Sequence, residues 1–128
     1  MRKMDKANEG FRRYRLSVST AGCDEGPEVY YAGATLRLRY DHEGLPWTTV
    51  SFDGVLAMRT IPDATVSELQ LEAYSAVIEV ETSQWMNGLL GKTEPHYRMP
   101  LRRHFIIYFD HWGAVEVLAQ SFQITVDE

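Results

Sequence analysis

The chain has little cysteine: Cys23 is the single one among 128 residues. With one thiol, no intrachain disulfide can form and no multi-cysteine metal site can be built. This content is typical of a reducing compartment, so we expect a cytoplasmic protein. Cys23 lies in the acidic stretch CDEGPE, where neighbouring negative charge disfavours a reactive thiolate. A nucleophilic role for it is therefore not expected.

Long apolar runs and the common catalytic motifs are also missing. The charged start, MRKMDKANEG, is not followed by an apolar segment, so the sequence predicts neither a secretory signal nor a membrane span. No GxSxG, P-loop, GxGxxG or HExxH motif is present, and the four histidines lack zinc-ligand spacing. We therefore predict no metal and no cofactor, and we assign no catalytic residue.

Positive charge is scarce outside the N-terminal part. The formal net charge is −5, although residues 1–16 hold six Lys or Arg residues against two acidic ones. The remaining chain is thus strongly acidic and should repel nucleic acid. We interpret residues 1–10 as a basic leader and residues 11–128 as a single α+β domain.

Alternation of apolar and polar residues is the main structural signal. It predicts strands over residues 14–18, 35–41, 48–52, 75–81, 104–109 and 115–119. The capping-box pattern TVSE at Thr65–Glu68 predicts a short helix over 66–73, and Ser83 is expected to cap a second one. The predicted fold is α+β, mainly an antiparallel, curled β-sheet of about six strands with two short helices.

The stretch HFIIYFDHWGAVEVLAQSF (104–122) predicts a hairpin around the turn DHWG. Asp110 and Gly113 have the residue types that such a turn requires, and the tip would carry His111 with Trp112 directed outward. Counting outward from the turn places Phe109 opposite Val115 and Tyr108 opposite Glu116. The face with Tyr108 mixes polar and apolar residues, so it is the candidate face for a site.

Three functions remain open on the residues alone. The first is binding of a protein partner, because exposed aromatic and acidic residues favour interfaces; its candidate residues are Trp112, His111, Tyr108, Glu116 and Trp47. The second is a small-ligand pocket inside the curled sheet, lined by Trp47, Phe52, Trp85, Tyr108 and Leu118. The third is an enzyme that uses Tyr108 and Glu116 as an acid-base pair. The oligomeric state is left open.

Three segments carry a resemblance: FDGVLAMRTIPD (52–63), SAVIEVETSQWMNGLL (75–90) and HFIIYFDHWGAVEVLAQSF (104–122). In this order they resemble small uncharacterised bacterial proteins, some of which are similar to immunity proteins of contact-dependent or secreted toxin systems. The resemblance implies an acidic, cytosolic protein that acts by binding, and it supplies no catalytic residues. A basic toxin would be the natural partner, because opposite charge steers association.

Overall fold

The computed structural model describes residues 10–23, 25–43, 45–93 and 101–127. These residues form nine strands, two α-helices and one 3-10 helix at Asp63–Thr65. The strands are β1 Phe11–Arg15, β2 Glu28–Ala32, β3 Thr35–Tyr40, β4 Thr48–Asp53, β5 Ala57–Pro62, β6 Ala76–Val80, β7 Arg103–Phe109, β8 Gly113–Ala119 and β9 Ser121–Val126. The helices are α1 Glu68–Leu71 and α2 Gln84–Gly91.

The strands form two antiparallel sheets that face each other. The five-stranded sheet has the order β1-β6-β7-β8-β5, and the four-stranded sheet has the order β2-β3-β4-β9. The chain passes between the sheets after Asp53 and again at Gln120, whose N–H donates to the Asp53 carbonyl at 2.9 Å. Gly54 makes this crossing possible: its φ is +64°, and a Cβ there would lie 2.1 Å from the Gln120 side chain.

Two apolar clusters cover the two faces of the five-stranded sheet. The larger cluster lies between the sheets and includes Leu36, Leu38, Tyr40, Val50, Phe52, Phe105, Ile107, Phe109, Val115 and Val117. Phe52 and Phe105 meet there across the sheets with ring centroids 5.7 Å apart. The smaller cluster joins Ile78, Ile106 and Tyr108 of the opposite face to Ala73, which follows α1. Alternation along β7 therefore buries both of its faces.

The predicted α+β fold with antiparallel strands and two short helices is confirmed, whereas the count of about six strands is wrong. Residues 28–32, which lie outside the six predicted strands, form β2. In addition, the segments at 48–62 and 113–126 each bend and supply one strand to each sheet. A bend at a glycine preserves the alternation on both sides, so the pattern could not show that the strand changes sheets. Residues 1–9 of the predicted leader lie outside the described residues.

The hairpin of β7 and β8 is antiparallel as predicted, but its predicted register is wrong by two residues. Phe109 pairs with Gly113, Tyr108 with Ala114 and Ile106 with Glu116. The loop is shorter than expected because His111 adopts the left-handed conformation, with φ +66°, and the Trp112 N–H donates to the Phe109 carbonyl at 3.0 Å. Gly113 thus belongs to the strand.

Of the two predicted helix caps, one is confirmed and one is wrong by two residues. Ser83 caps α2 as expected, with its Oγ accepting from the N–H of Met86 at 3.0 Å. The capping box of α1 lies two residues later than predicted, with Ser67 as the cap and Gln70 as its partner. Thr65 instead donates its hydroxyl to the Pro62 carbonyl at 3.1 Å, within the preceding 3-10 helix.

Candidate functional site

A cleft of about 530 Å³ opens at one end of the four-stranded sheet. Two loops form it, the one that precedes β2 and the one that joins β3 to β4. Its lining residues are Gly22, Cys23, Glu25, Gly26, Pro27, Glu28, Tyr40, Asp41 and Trp47. We call it the acidic cleft, because every charged residue of this lining is acidic.

The β7–β8 turn holds the first of these loops in place. Gly26 has a φ of +78°, and a Cβ there would lie 2.4 Å from the Trp112 indole, so the loop packs directly on that ring. The Asp110 N–H also donates to the Thr20 carbonyl at 3.3 Å. The Trp112 ring also contacts Phe109, with centroids 6.0 Å apart. The wall of the acidic cleft therefore rests on the core.

The carboxylates of the acidic cleft differ in their partners. Glu28 forms an ion pair with Arg39 at 3.2 Å, and Arg39 also reaches Asp127 at 3.3 Å. Among the described residues, no cation and no hydrogen-bond donor pairs with the side chain of Glu25 or Asp41. Two carboxylates at the cleft thus keep their acceptor capacity for another molecule.

Two aromatic residues, Tyr40 and Trp47, also line the acidic cleft. The Arg39 guanidinium lies 4.2 Å from the Trp47 ring centroid, which fixes the indole against the sheet. The Tyr40 hydroxyl donates to the Val18 carbonyl at 2.8 Å, and burial raises the pKa of this phenol far above its usual value. Tyr40 therefore stays neutral, and the charge of the acidic cleft comes from its carboxylates.

A second polar group lies on the outer face of the five-stranded sheet, beneath the two helices. Glu116 accepts hydrogen bonds from the Gln70 amide at 2.5 Å and from Arg59 at 3.1 Å, and its Oε1 lies 2.6 Å from His104 Nε2. His104 Nδ1 lies 2.8 Å from Ser83 Oγ. We call these five residues the Glu116 cluster.

Charge in the Glu116 cluster is compensated within the protein. Burial by itself raises the pKa of Glu116, but hydrogen bonds from His104 and Gln70 and the charge of Arg59 outweigh it, so the pKa is lowered overall. Trp85 of α2 roofs the cluster: its ring lies 5.3 Å from that of His104 and 4.0 Å from the Arg59 guanidinium. The side chain of Glu116 is only 2% exposed.

The hydroxyl, imidazole and carboxylate of the Glu116 cluster lie in a row, an order that nucleophilic catalysis also uses. Here, however, Ser83 is buried and its Oγ already accepts from the helix backbone. Gln70 likewise caps α1 through its Oε1, which accepts from the Ser67 N–H at 2.7 Å. The cluster therefore ties the first turns of both helices to β7 and β8.

The structure does not bring together the residues proposed for an acid-base pair or those proposed for a ligand pocket. Tyr108 donates to Asp63 at 2.5 Å instead of meeting Glu116, and burial raises the pKa of Tyr108 to about 12. Of the residues proposed for a ligand pocket, Phe52 lies between the sheets, whereas Tyr108 and Leu118 lie on the opposite face of the five-stranded sheet. Trp47 lines the acidic cleft.

The candidate partner-binding residues also lie at different places in the fold and do not form one surface. Trp47 lines the acidic cleft, and Trp112 supports its wall through Gly26. The expectation that the Trp112 ring projects from the turn is wrong, because the half-buried ring packs on the larger core cluster. His111 does stand at the tip, with 68% of its side chain exposed and 3.4 Å from Asp110. Glu116 is buried in its own cluster.

Sequence reasoning missed Glu25 and Asp41 as members of one site. Glu25 lies in the loop stretch CDEGPE and Asp41 in DHEG, and residues of these types are typical of turns, so neither is predicted as a site residue. The available signal was that two acidic loops lie at the same ends of paired strands, since β2 and β3 form a hairpin. Such a pairing brings the start of β2 beside the end of β3.

Within the described ranges, no three His, Cys, Asp or Glu side chains lie together so that they could hold a metal ion. Neither α-helix of the described chain has the length and apolar character that a membrane crossing requires. Comparison with protein-family models, curated proteins and solved structures gives no match to this chain.

Proposed function

We propose that this protein is a non-catalytic binding domain whose acidic cleft receives a basic side chain of a protein partner. One observation carries the proposal: the carboxylates of Glu25 and Asp41 have no partner among the described residues and border a cleft walled by Trp47. A guanidinium suits this lining, because it donates to carboxylates and stacks on aromatic faces. The guanidinium would form charged hydrogen bonds to the carboxylates and a planar stacking contact with the Trp47 ring.

The nature of the partner follows from charge. With a net charge of −5, the chain attracts basic proteins over long distances and associates with them quickly at low salt. An immunity-type inhibitor that acts in the cytoplasm on a basic toxin fits this charge, the single cysteine of the sequence and the resemblance of residues 52–63, 75–90 and 104–122. We propose that class of function for the chain.

A titration followed by NMR tests the acidic cleft directly. We expect capped arginine, N-acetyl-arginine methylamide, to shift the Trp47 indole resonance and the amides around Glu25 and Asp41. The variant Asp41→Asn should bind about 10-fold more weakly, because a charge-assisted hydrogen bond is lost. Glu43→Gln is the matched control, since it removes a charge that lies outside the cleft lining and is 83% exposed. Equal weakening by both variants would contradict a defined site.

A cellular experiment tests the immunity-type role separately. We expect a toxin-like gene beside the gene for this chain, and we expect coexpression to restore growth of cells that make that toxin. Protection should fall in Asp41→Asn and persist in Glu43→Gln. Failure of the wild-type chain to protect would contradict the immunity role, while the arginine titration would still decide whether the acidic cleft binds a basic group.

A further inference from the structure

The strand β2 is exposed on its free edge and on both faces. It pairs with β3 alone, and each of its five residues is exposed. Val29 is 45% exposed, Tyr30 61% and Tyr31 53%, so three consecutive large apolar side chains face solvent. An apolar edge strand of this kind is a template for pairing with another strand.

The other edges of the sheets carry residues that disfavour such pairing. Arg12, Arg13 and Arg15 lie on β1, and β5 contains Arg59 and ends in Pro62. The exposed residues of the edge strand β9 are mostly polar, namely Ser121, Gln123 and Thr125, and Val126 is the one apolar residue among them. Charge and proline on an edge oppose strand addition. Only β2 combines an open edge with a run of large apolar residues in the described chain.

The inner face of the four-stranded sheet continues past the part that the other sheet covers. Val29 pairs with Leu38 and Tyr31 with Leu36, so all four side chains point to the same face. Leu36 and Leu38 are fully buried, whereas Val29 and Tyr31 are about half exposed. The apolar layer is therefore complete under β3 and uncovered under β2.

The backbone of β2 offers its free groups at two positions. A two-residue turn closes the β2–β3 hairpin on the pair Ala32 and Thr35, with Gly33 at φ +62° as its first residue. Hydrogen-bonded residues alternate along an antiparallel strand. Ala32, Tyr30 and Glu28 thus bond to β3, while the N–H and C=O groups of Val29 and Tyr31 point to the free edge.

We infer that two copies of this chain associate through β2, antiparallel and centred on Tyr30. In this register Val29 lies opposite Tyr31 of the second copy and exchanges backbone hydrogen bonds with it, giving about four new bonds in total. Glu28 lies opposite Ala32, so no like charges face each other. The two uncovered apolar inner faces become continuous. A strand-sized contact of this kind gives a weak, concentration-dependent dimer.

The second copy is favoured over an unrelated strand because the sequence EVYYA is complementary to itself in this register. The proposal does not depend on the acidic cleft, because its hydrogen bonds come from the backbone of Val29 and Tyr31, which do not line the cleft. Failure of one proposal therefore leaves the other standing.

Sedimentation equilibrium of the whole chain tests the dimer. We expect the average mass to rise with concentration from 14.7 kDa towards twice that value. Tyr30→Lys should remain monomeric, because two like charges would lie directly opposite. Leu71→Lys, at a residue of α1 that is 46% exposed, should dimerise like the wild type. A wild-type chain that stays monomeric at about 1 mM would overturn the proposal, as would Tyr30→Lys dimerising normally.

Disulfide trapping tests the register. Residues opposite each other in a non-hydrogen-bonded pair have Cα atoms about 4.5 Å apart, which suits a disulfide. Oxidised Tyr30→Cys should therefore form a covalent dimer, whereas Ala32→Cys should not, because two Ala32 residues lie on opposite ends of the paired edge. The buried Cys23 of the wild type sets the background. Equal trapping of both variants, or none in a chain that dimerises, would contradict this register.

Discussion

The Glu116 cluster and the acidic cleft both contain carboxylates, but only in the Glu116 cluster does the protein itself supply their partners. In the Glu116 cluster the carboxylate has three partners, His104, Gln70 and Arg59, and is shielded from water. In the acidic cleft, Glu25 and Asp41 lack partners among the described residues and face an opening. A polar group whose bonds are satisfied inside the fold contributes to a unique structure, whereas an unsatisfied group at a concave surface can bind.

Their positions in the fold explain the difference. The Glu116 cluster lies where α1 and α2 cover the centre of the five-stranded sheet, so each polar group had to find a partner within the protein. The acidic cleft lies at the end of the four-stranded sheet, where two loops meet and no helix of the described chain covers them. Mutations should therefore affect stability in the first region and binding in the second.

Glu116→Ala should have the largest effect on stability. It leaves the buried His104 and the half-buried Gln70 without their acceptor, and removal of one partner from a buried charged network costs about 3–5 kcal/mol. Glu43→Ala, at an exposed carboxylate, should stay within about 0.5 kcal/mol of the wild type. Urea denaturation measures both. A Glu116→Ala loss as small as that of the control would show that the cluster does not support the fold.

Gly113→Val should cost about 3 kcal/mol, at the upper end for a strained backbone position. Gly113 has a φ of +136°, and a Cβ there would lie 2.1 Å from the Ile61 carbonyl oxygen of the neighbouring strand. Gly88→Ala provides the contrast, because nothing lies within 4 Å of that position in α2 and alanine favours the helix. If thermal denaturation ranks Gly88→Ala as the more damaging change, the close approach of β5 and β8 is refuted.

Trp112→Ala should cost about 2 kcal/mol, less than a fully buried tryptophan, because the ring is half-buried between Phe109 and Gly26. It should also loosen the loop that carries Glu25, and thereby weaken binding of capped arginine. His111→Asn, which keeps a residue type that tolerates the left-handed conformation at the exposed tip, should change neither quantity. Unfolding curves measure the change in stability, and the titration with capped arginine measures the change in binding. Unchanged stability of Trp112→Ala would show that the Trp112 ring does not support the fold.

Acid should destabilise the wild type more steeply than Glu116→Gln. The pKa of Glu116 is lowered in the folded state, so its contribution is present above the ordinary value of 4.5 and is lost as the pH falls below it. Because glutamine cannot titrate, the variant should be less stable at neutral pH and lose less below pH 4.5. Parallel slopes in denaturation series across this range would mean that Glu116 is not held in its charged form.

Asp41→Asn and Glu25→Gln should have the smallest effects on stability, within about 0.5 kcal/mol of the wild type. Neither side chain has a partner among the described residues, so its neutral isostere breaks no contact of the fold. Slight stabilisation is the expected sign, because each change reduces repulsion in an acidic protein. A loss above 1 kcal/mol in chemical denaturation would show that the fold uses these carboxylates.

Local patterns predicted most of the individual elements. The alternation of Leu36, Leu38 and Tyr40 gave β3 and its buried face, and Ser83 gave the start of α2. Local patterns could not predict that the strands form two sheets, because the alternation of apolar and polar residues continues on both sides of the bend at Gly54. The pairing of Tyr108 failed for a related reason: the conformation of His111 shortens the loop, and a two-residue slip keeps every side chain on its face.

The candidate site was harder to predict than the fold. Trp47 was proposed as a contact residue from its type, and it does line the acidic cleft. Glu25 and Asp41 come from loops that are 16 positions apart in sequence and meet only because β2 and β3 pair. Burial of Glu116 depends on α1 and α2 folding over β8, which no short-range pattern encodes.

One titration tests the division between the two regions most directly: the affinity of Asp41→Asn and of Glu116→Gln for capped arginine, at a temperature where both are folded. We predict that Asp41→Asn binds about 10-fold more weakly while Glu116→Gln binds like the wild type. Loss of binding in Glu116→Gln with full binding in Asp41→Asn would contradict the account, because the binding site would then lie beneath the helices.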